Sequence, residues 1–196
     1  MKQLIILILL LFAFENSNSQ VVENANNPWI VGFGVNAIDD SGKRLGKLFD
    51  FNDNYFFKNP YQFSVEKRFR DDFGLEVLLS YNTFEKGKIF NEGILEEDID
   101  FFASDLSFKY YFTNLFLDKY RSYFEGFLLT GIGESFYDWK GTTNFNLGGG
   151  FLFYISNSIR LNLVTIAKLS LIKNDNTGSN YLQYNAGIIY RLPVKQ

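Results

Sequence analysis

Apolar and polar residues alternate with a period of two along most of this chain. The clearest case is Leu75, Val77, Leu79 and Tyr81 interleaved with Glu76, Leu78, Ser80 and Asn82. Successive side chains of a strand point to opposite faces, so such a segment is a strand with one apolar face and one mostly polar face. The pattern recurs in eight stretches, over 29–37, 62–69, 73–84, 99–112, 122–133, 144–155, 159–170 and 181–192. The connections 70–72 and 156–158 are short, 113–121 is intermediate, and 38–61, 85–98, 134–143 and 171–180 are long. An even number of up-and-down strands brings both ends to the side of the short turns. The expected fold is therefore all-β, an eight-stranded antiparallel up-and-down transmembrane β-barrel.

Splitting each strand by parity sorts the residues. Outward fall Val31, Phe33, Val35, Phe63, Val65, Leu75, Val77, Leu79, Leu106, Phe108, Tyr110, Leu147, Phe151, Phe153, Leu161, Leu163, Leu182, Tyr184, Ala186, Ile188 and Tyr190, and charge breaks this parity only at Lys67 and Asp100, near strand ends. Inward fall Ser64, Ser80, Asn82, Ser107, Asn146, Asn162, Gln183, Asn185 and the charged residues. Arg or Lys at the lipid midplane costs roughly 2–4 kcal/mol, so this segregation assigns the apolar face to lipid. A soluble, secreted, lipocalin-like ligand-binding barrel is the rival, with its apolar face inside. Aromatic residues near strand ends (Trp29, Phe69, Tyr81, Phe84, Tyr111, Phe112 and Tyr154) suit interfacial girdles and favour the membrane.

The N-terminus fits the same compartment. Lys2 precedes an unbroken apolar run, 4–14, and Ser17, Asn18 and Ser19 follow it. This reads as a secretory signal peptide, 1–19, leaving 20–196 as one barrel domain. The apolar run is too short to span a bilayer. With no cysteine, a lipid-attached form and a disulfide framework are both excluded. The 23 Phe and 12 Tyr against 3 Pro favour strands over helices. A net charge of -3 without a basic stripe gives no footprint for nucleic acid.

Eight strands leave an interior just wide enough for their own side chains. The inward charges Glu66, Arg68, Glu76, Asp105, Lys109, Glu125, Arg160 and Arg191 are balanced, four acids against four bases, as expected if they pair across a filled lumen. A structural plug is favoured over a proton or ion path, and the small-pore reading is the weaker for it. No histidine is present to act as general base. Ser64 beside Glu66 and Ser107 beside Asp105 read as hydrogen-bonded lumen residues, and no catalytic residue is named. The glycines at 148–150 complete no phosphate-binding fingerprint and fit curvature and close packing instead.

Several pieces carry a family resemblance: Trp29-Ile-Val-Gly-Phe-Gly-Val-Asn36 with Asp39-Asp40-Ser41-Gly42, Phe63-Ser-Val-Glu66, Ser80-Tyr81-Asn82 with Glu85-Lys86-Gly87-Lys88, and Gly187-Ile-Ile-Tyr-Arg191. Together they resemble the N-terminal barrel of OmpA-like outer-membrane proteins over essentially the whole mature chain. The chain ends at Pro193-Val194-Lys195-Gln196, so the peptidoglycan-binding domain of many members is not expected, and minimal OmpX-like barrels are the nearer analogy. The resemblance implies an outer-membrane location with both termini periplasmic.

Function then falls to the long loops. The first carries Leu45, Leu48, Phe49, Phe51, Tyr55, Phe56 and Phe57, too many large apolar residues for a free coil, so it is expected to fold over the mouth or meet a partner. Leu48, Phe49, Phe51, Tyr55, Phe56 and Phe57 are the interaction candidates. Asp39, Asp40, Asp50 and Asp53, with Glu92, Glu96, Glu97 and Asp98 in the second loop, form an acidic rim whose spacing fits no defined ion loop. The expected partners are outer-membrane lipid and other envelope proteins, with no cofactor, no metal and no nucleic acid.

Overall fold

Every neighbouring pair of barrel strands is antiparallel, and the last strand closes on the first. The computed structural model describes residues 28–40, 55–69, 72–90, 93–117, 122–171 and 180–193. The segment 1–19, expected as a signal peptide, lies outside them, as do Leu48, Phe49 and Phe51. The eight wall strands are β1 (Trp29–Asp39), β3 (Tyr61–Phe69), β4 (Phe73–Phe84), β7 (Ile99–Tyr110), β8 (Phe124–Tyr137), β9 (Lys140–Tyr154), β10 (Ile159–Ser170) and β11 (Tyr181–Arg191). Three short strands stand apart: β2 (Tyr55–Phe56) extends the wall, and β5 (Ile89–Phe90) pairs with β6 (Gly93–Ile94). The β11–β1 ladder from Ile30↔Arg191 to Asp39↔Leu182 completes the ring and leaves no open edge between the ends of the sheet.

The outer wall matches the alternation. Phe33, Phe63, Leu75, Val77, Leu106, Phe108, Leu147, Phe151, Leu163 and Ile188 are all exposed although large and apolar. Lys67 and Asp100 sit on this face at strand ends; the Lys67 ammonium lies 5.0 Å from the Trp29 ring centre, and Asp100 accepts the Tyr81 hydroxyl at 2.9 Å. Three residues expected in the aromatic girdles instead turn inward. Phe84 and Tyr111 are fully buried, and Tyr154 lies beneath the Arg160 guanidinium, 4.2 Å from its ring centre. Each has the parity of its strand's inward set, which outweighs its position near the end.

The stretch 134–143, expected as a long loop, is instead the tip of a hairpin. β8 and β9 remain paired up to Tyr137↔Lys140, leaving only Asp138 and Trp139 to turn. Both take positive φ, 44° and 68°, the geometry of a type I′ turn. Such turns are normally signalled by Asn-Gly or Asp-Gly, and Asp-Trp carries no such signal. Asp138 compensates by anchoring the tip to β7: its carboxylate accepts the Asp100 N–H at 3.0 Å, and its own N–H donates to the Asp100 carbonyl at 3.0 Å. A left-handed L-residue costs roughly 1–2 kcal/mol. Trp139 is 92% exposed, so little packing offsets that cost. Trp139→Gly is therefore expected to raise stability by about 1 kcal/mol, read as a higher urea midpoint. A lower midpoint would show that the indole holds the tip.

At the other end, the 3-10 turn Phe112–Leu115 folds back against β8. Gly126 permits this: a Cβ there would lie 2.8 Å from the Phe112 ring, and the Gly126 N–H donates to the Thr113 hydroxyl at 3.0 Å. The glycine triplet has a related cause. A Cβ at Gly148 would collide with the Thr165 carbonyl, and one at Gly150 with the Leu163 carbonyl and the Phe127 ring. Close packing in a narrow lumen explains both.

Candidate functional site

The lumen is filled in layers. Nearest the termini, Glu125 lies between two guanidiniums. Arg68 grips it with both terminal nitrogens at 3.0 and 2.9 Å, and Arg160 Nη1 reaches the same Oε2 at 2.7 Å. Beside them, Lys109 Nζ donates to Glu76 at 2.6 Å and Glu66 at 3.1 Å. The Tyr111 hydroxyl donates to Glu66 at 2.6 Å, and its ring lies 3.5 Å from the Arg68 guanidinium. Strand register explains the assembly: Glu66 and Glu76 are direct partners across β3 and β4, and each carbonyl-bonded ladder holds its neighbours at fixed height. Unpaired, these buried charges would each cost several kcal/mol.

A second ion pair lies farther along the axis, where Lys168 meets both oxygens of Asp105 and the Asn146 amide also donates to Asp105 at 2.9 Å. Lys168 is the lumen base that sequence reasoning missed. The β10 alternation through Arg160 and Asn162 runs on to Lys168, so parity alone would have found it. Arg191 has the inward parity of β11 and lies opposite the buried Ile30, but at the last position of the strand it is only half-buried. Among the almost wholly buried wall-strand charges, Lys168 makes the fourth base against four acids.

Amides form the next layer. Asn82 donates to Asn36 at 2.8 Å, and Gln183 donates to Ser80 at 2.8 Å. Above it an aromatic cap seals the mouth at the end away from the termini. Phe56 stacks on Phe84 with centroids 3.9 Å apart, Phe84 stacks on Phe101 at 5.0 Å, and Tyr137 and Phe90 close the edge. Phe56 reaches this place because β2 pairs with the top of β1, where β3 has already ended. The three described loop candidates thus divide. Phe56 is buried in the cap, Tyr55 is buried with its ring 5.8 Å from Tyr184, and Phe57 is exposed over a groove on the outer wall beside Val35 and Ala37.

The acidic rim divides too. Asp40 is buried and accepts the Tyr137 hydroxyl at 3.0 Å, whereas Glu96, Glu97 and Asp98 are exposed. Lys58 Nζ lies 2.6 Å from Asp98 Oδ2 and ties the segment after β2 to the one before β7. That hydrogen bond holds the Asp98 carboxyl below its ordinary range, so the tie persists at neutral pH and is lost as pH falls through this lowered value.

A closed ring of eight antiparallel strands, apolar outside and charge-paired within, is the fold of the outer-membrane barrels. Solved structures of this kind match nearly end to end. Outer membrane protein OprG from Pseudomonas aeruginosa is 14% identical over 86% of this chain and 97% of that one, with a TM-score of 0.59. Neisserial surface protein A is 11% identical over 86% and 98%, at 0.56. The N-terminal barrel domain of Pseudomonas aeruginosa OprF is 12% identical over 85% and 98%, at 0.55. The likeness is one of fold. No protein-family model and no curated protein matches the chain.

Proposed function

We propose that the chain is a non-enzymatic integral outer-membrane barrel with a sealed lumen, serving a structural or interaction role through the segments at its capped mouth. Residues 1–19 are its signal peptide, both termini are periplasmic, and its partners are outer-membrane lipid and other envelope proteins. The observation that carries this reading is the inversion of an ordinary soluble protein: large apolar side chains cover the outer wall while Glu66, Glu76, Asp105 and Glu125 are buried with their bases. A lipocalin-like carrier needs the opposite arrangement. The aromatic cap and the ion pairs also argue against a pore.

Two measurements test the reading. In planar bilayers the purified protein is expected to give no large, steady conductance, and a reproducible porin-sized current would defeat the sealed lumen. Replacing residues 41–54 with a short Gly-Ser linker should leave the barrel heat-modifiable on gels yet remove its copurifying envelope partners. Retention of every partner would move the contact to the outer wall or the 113–121 turn.

A further inference from the structure

Among the described residues, three polar side chains stand together in one row on the otherwise largely apolar outer wall, just inside the aromatic girdle. Ser104 of β7, Glu134 of β8 and Thr143 of β9 are direct cross-strand partners and share the outward face. One row toward the termini stand Leu106 and Ile132, also partners, and one row toward the mouth stands Phe136, its ring 6.2 Å from that of Phe102. A groove of about 540 Å³ runs over this row and is lined by all six residues that frame it, from Ser104 to Phe136. The Thr143 hydroxyl donates to Glu134 Oε1 at 3.1 Å. Among the described residues Oε2 has no bonded partner and no cation pairs with the carboxylate. Gly141, the cross-strand partner of Phe136, leaves room for that ring, since a Cβ there would lie 3.1 Å from it.

We propose that this groove is a binding site for a membrane lipid with a primary ammonium headgroup, and the proposal rests on the membrane reading above. The acyl chains would lie along Leu106 and Ile132. The ammonium would donate to Glu134 Oε2 and the Ser104 hydroxyl, with the Phe136 ring face at hand for cation–π attraction. Charge complementarity selects the head. An ammonium offers three charged N–H donors to acceptor groups, a choline offers none, and a phosphoglycerol head offers only neutral hydroxyl donors on a net negative headgroup.

The test reconstitutes the full chain in vesicles containing phosphatidylethanolamine, phosphatidylcholine and phosphatidylglycerol, then counts retained lipid by native mass spectrometry after gentle detergent release. Phosphatidylethanolamine should be retained over the other two, in the presence or absence of EDTA. Glu134→Gln should lower that retention at least about tenfold, because a hydrogen bond to a charged group is lost. Ser104→Ala should weaken it less, and both variants should stay heat-modifiable. Equal retention of the three heads, an unchanged E134Q, or stripping by EDTA overturns the site. Failure of the wild-type chain to insert into vesicles at all would instead overturn the membrane reading.

Discussion

Replacing Glu125 with alanine is expected to destabilise the barrel by about 3–5 kcal/mol, the cost of breaking a buried ion pair from one side. Glu125 is the carboxylate that Arg68 and Arg160 share, and all three side chains are almost wholly buried. Removing it leaves two guanidiniums in a closed lumen, with Glu66 3.5 Å from Arg68 as the nearest remaining acid. Urea unfolding of the refolded barrel in lipid, followed by gel mobility, measures the effect. Glu125→Gln keeps the shape and removes the charge, so it separates packing from electrostatics and should recover only part of the loss. An unchanged midpoint for E125A would mean that water reaches these groups and that the network is not structural.

An arginine on the outer wall should be nearly as damaging, and for the opposite reason. Val77, Leu147 and Ile188 are exposed large apolar residues of the outer wall. Arg at any of them should cost about 2–4 kcal/mol in lipid, falling to about 0–1 kcal/mol near the interfaces. Trp139→Arg at the hairpin tip is the matching control and should be near neutral in that respect. Inward Asn82 cannot serve as the control, because it is fully buried and donates to both Asn36 and the Phe56 carbonyl, leaving no room for a longer side chain. Equal costs at Val77 and Trp139 would remove the lipid assignment of the outer face.

The other variants have smaller expected effects because their sites have less to lose. Trp139 relieves local backbone strain when replaced, and Glu134 lies exposed at the outer wall, where a lost charge changes lipid choice rather than folding. This ordering follows burial: the same charge matters by kcal/mol inside the lumen and by headgroup preference outside it.

The period-two alternation by itself determined the eight wall strands and the face that each of their residues takes. Side-chain alternation is a local property of an extended backbone, so each strand announces its faces without its neighbours. Glu66, Arg68, Glu76, Asp105, Lys109, Glu125 and Arg160 were legible as inward on that ground, and Lys168 was equally legible on β10. Only the tertiary structure decided which acid meets which base. That pairing depends on strand register and on distance across the lumen, which is why Arg68 and Arg160 meet on Glu125 while Lys168 crosses to Asp105. The same holds for the ends. Asp138 and Trp139 turn a hairpin without the usual residues because β7 holds the turn from the side, and Phe56 becomes a core residue only because Phe84 and Phe101 stand across the mouth to receive it. Local pattern determines which way a side chain faces, whereas contacts between residues distant in sequence exist only once the ring has closed.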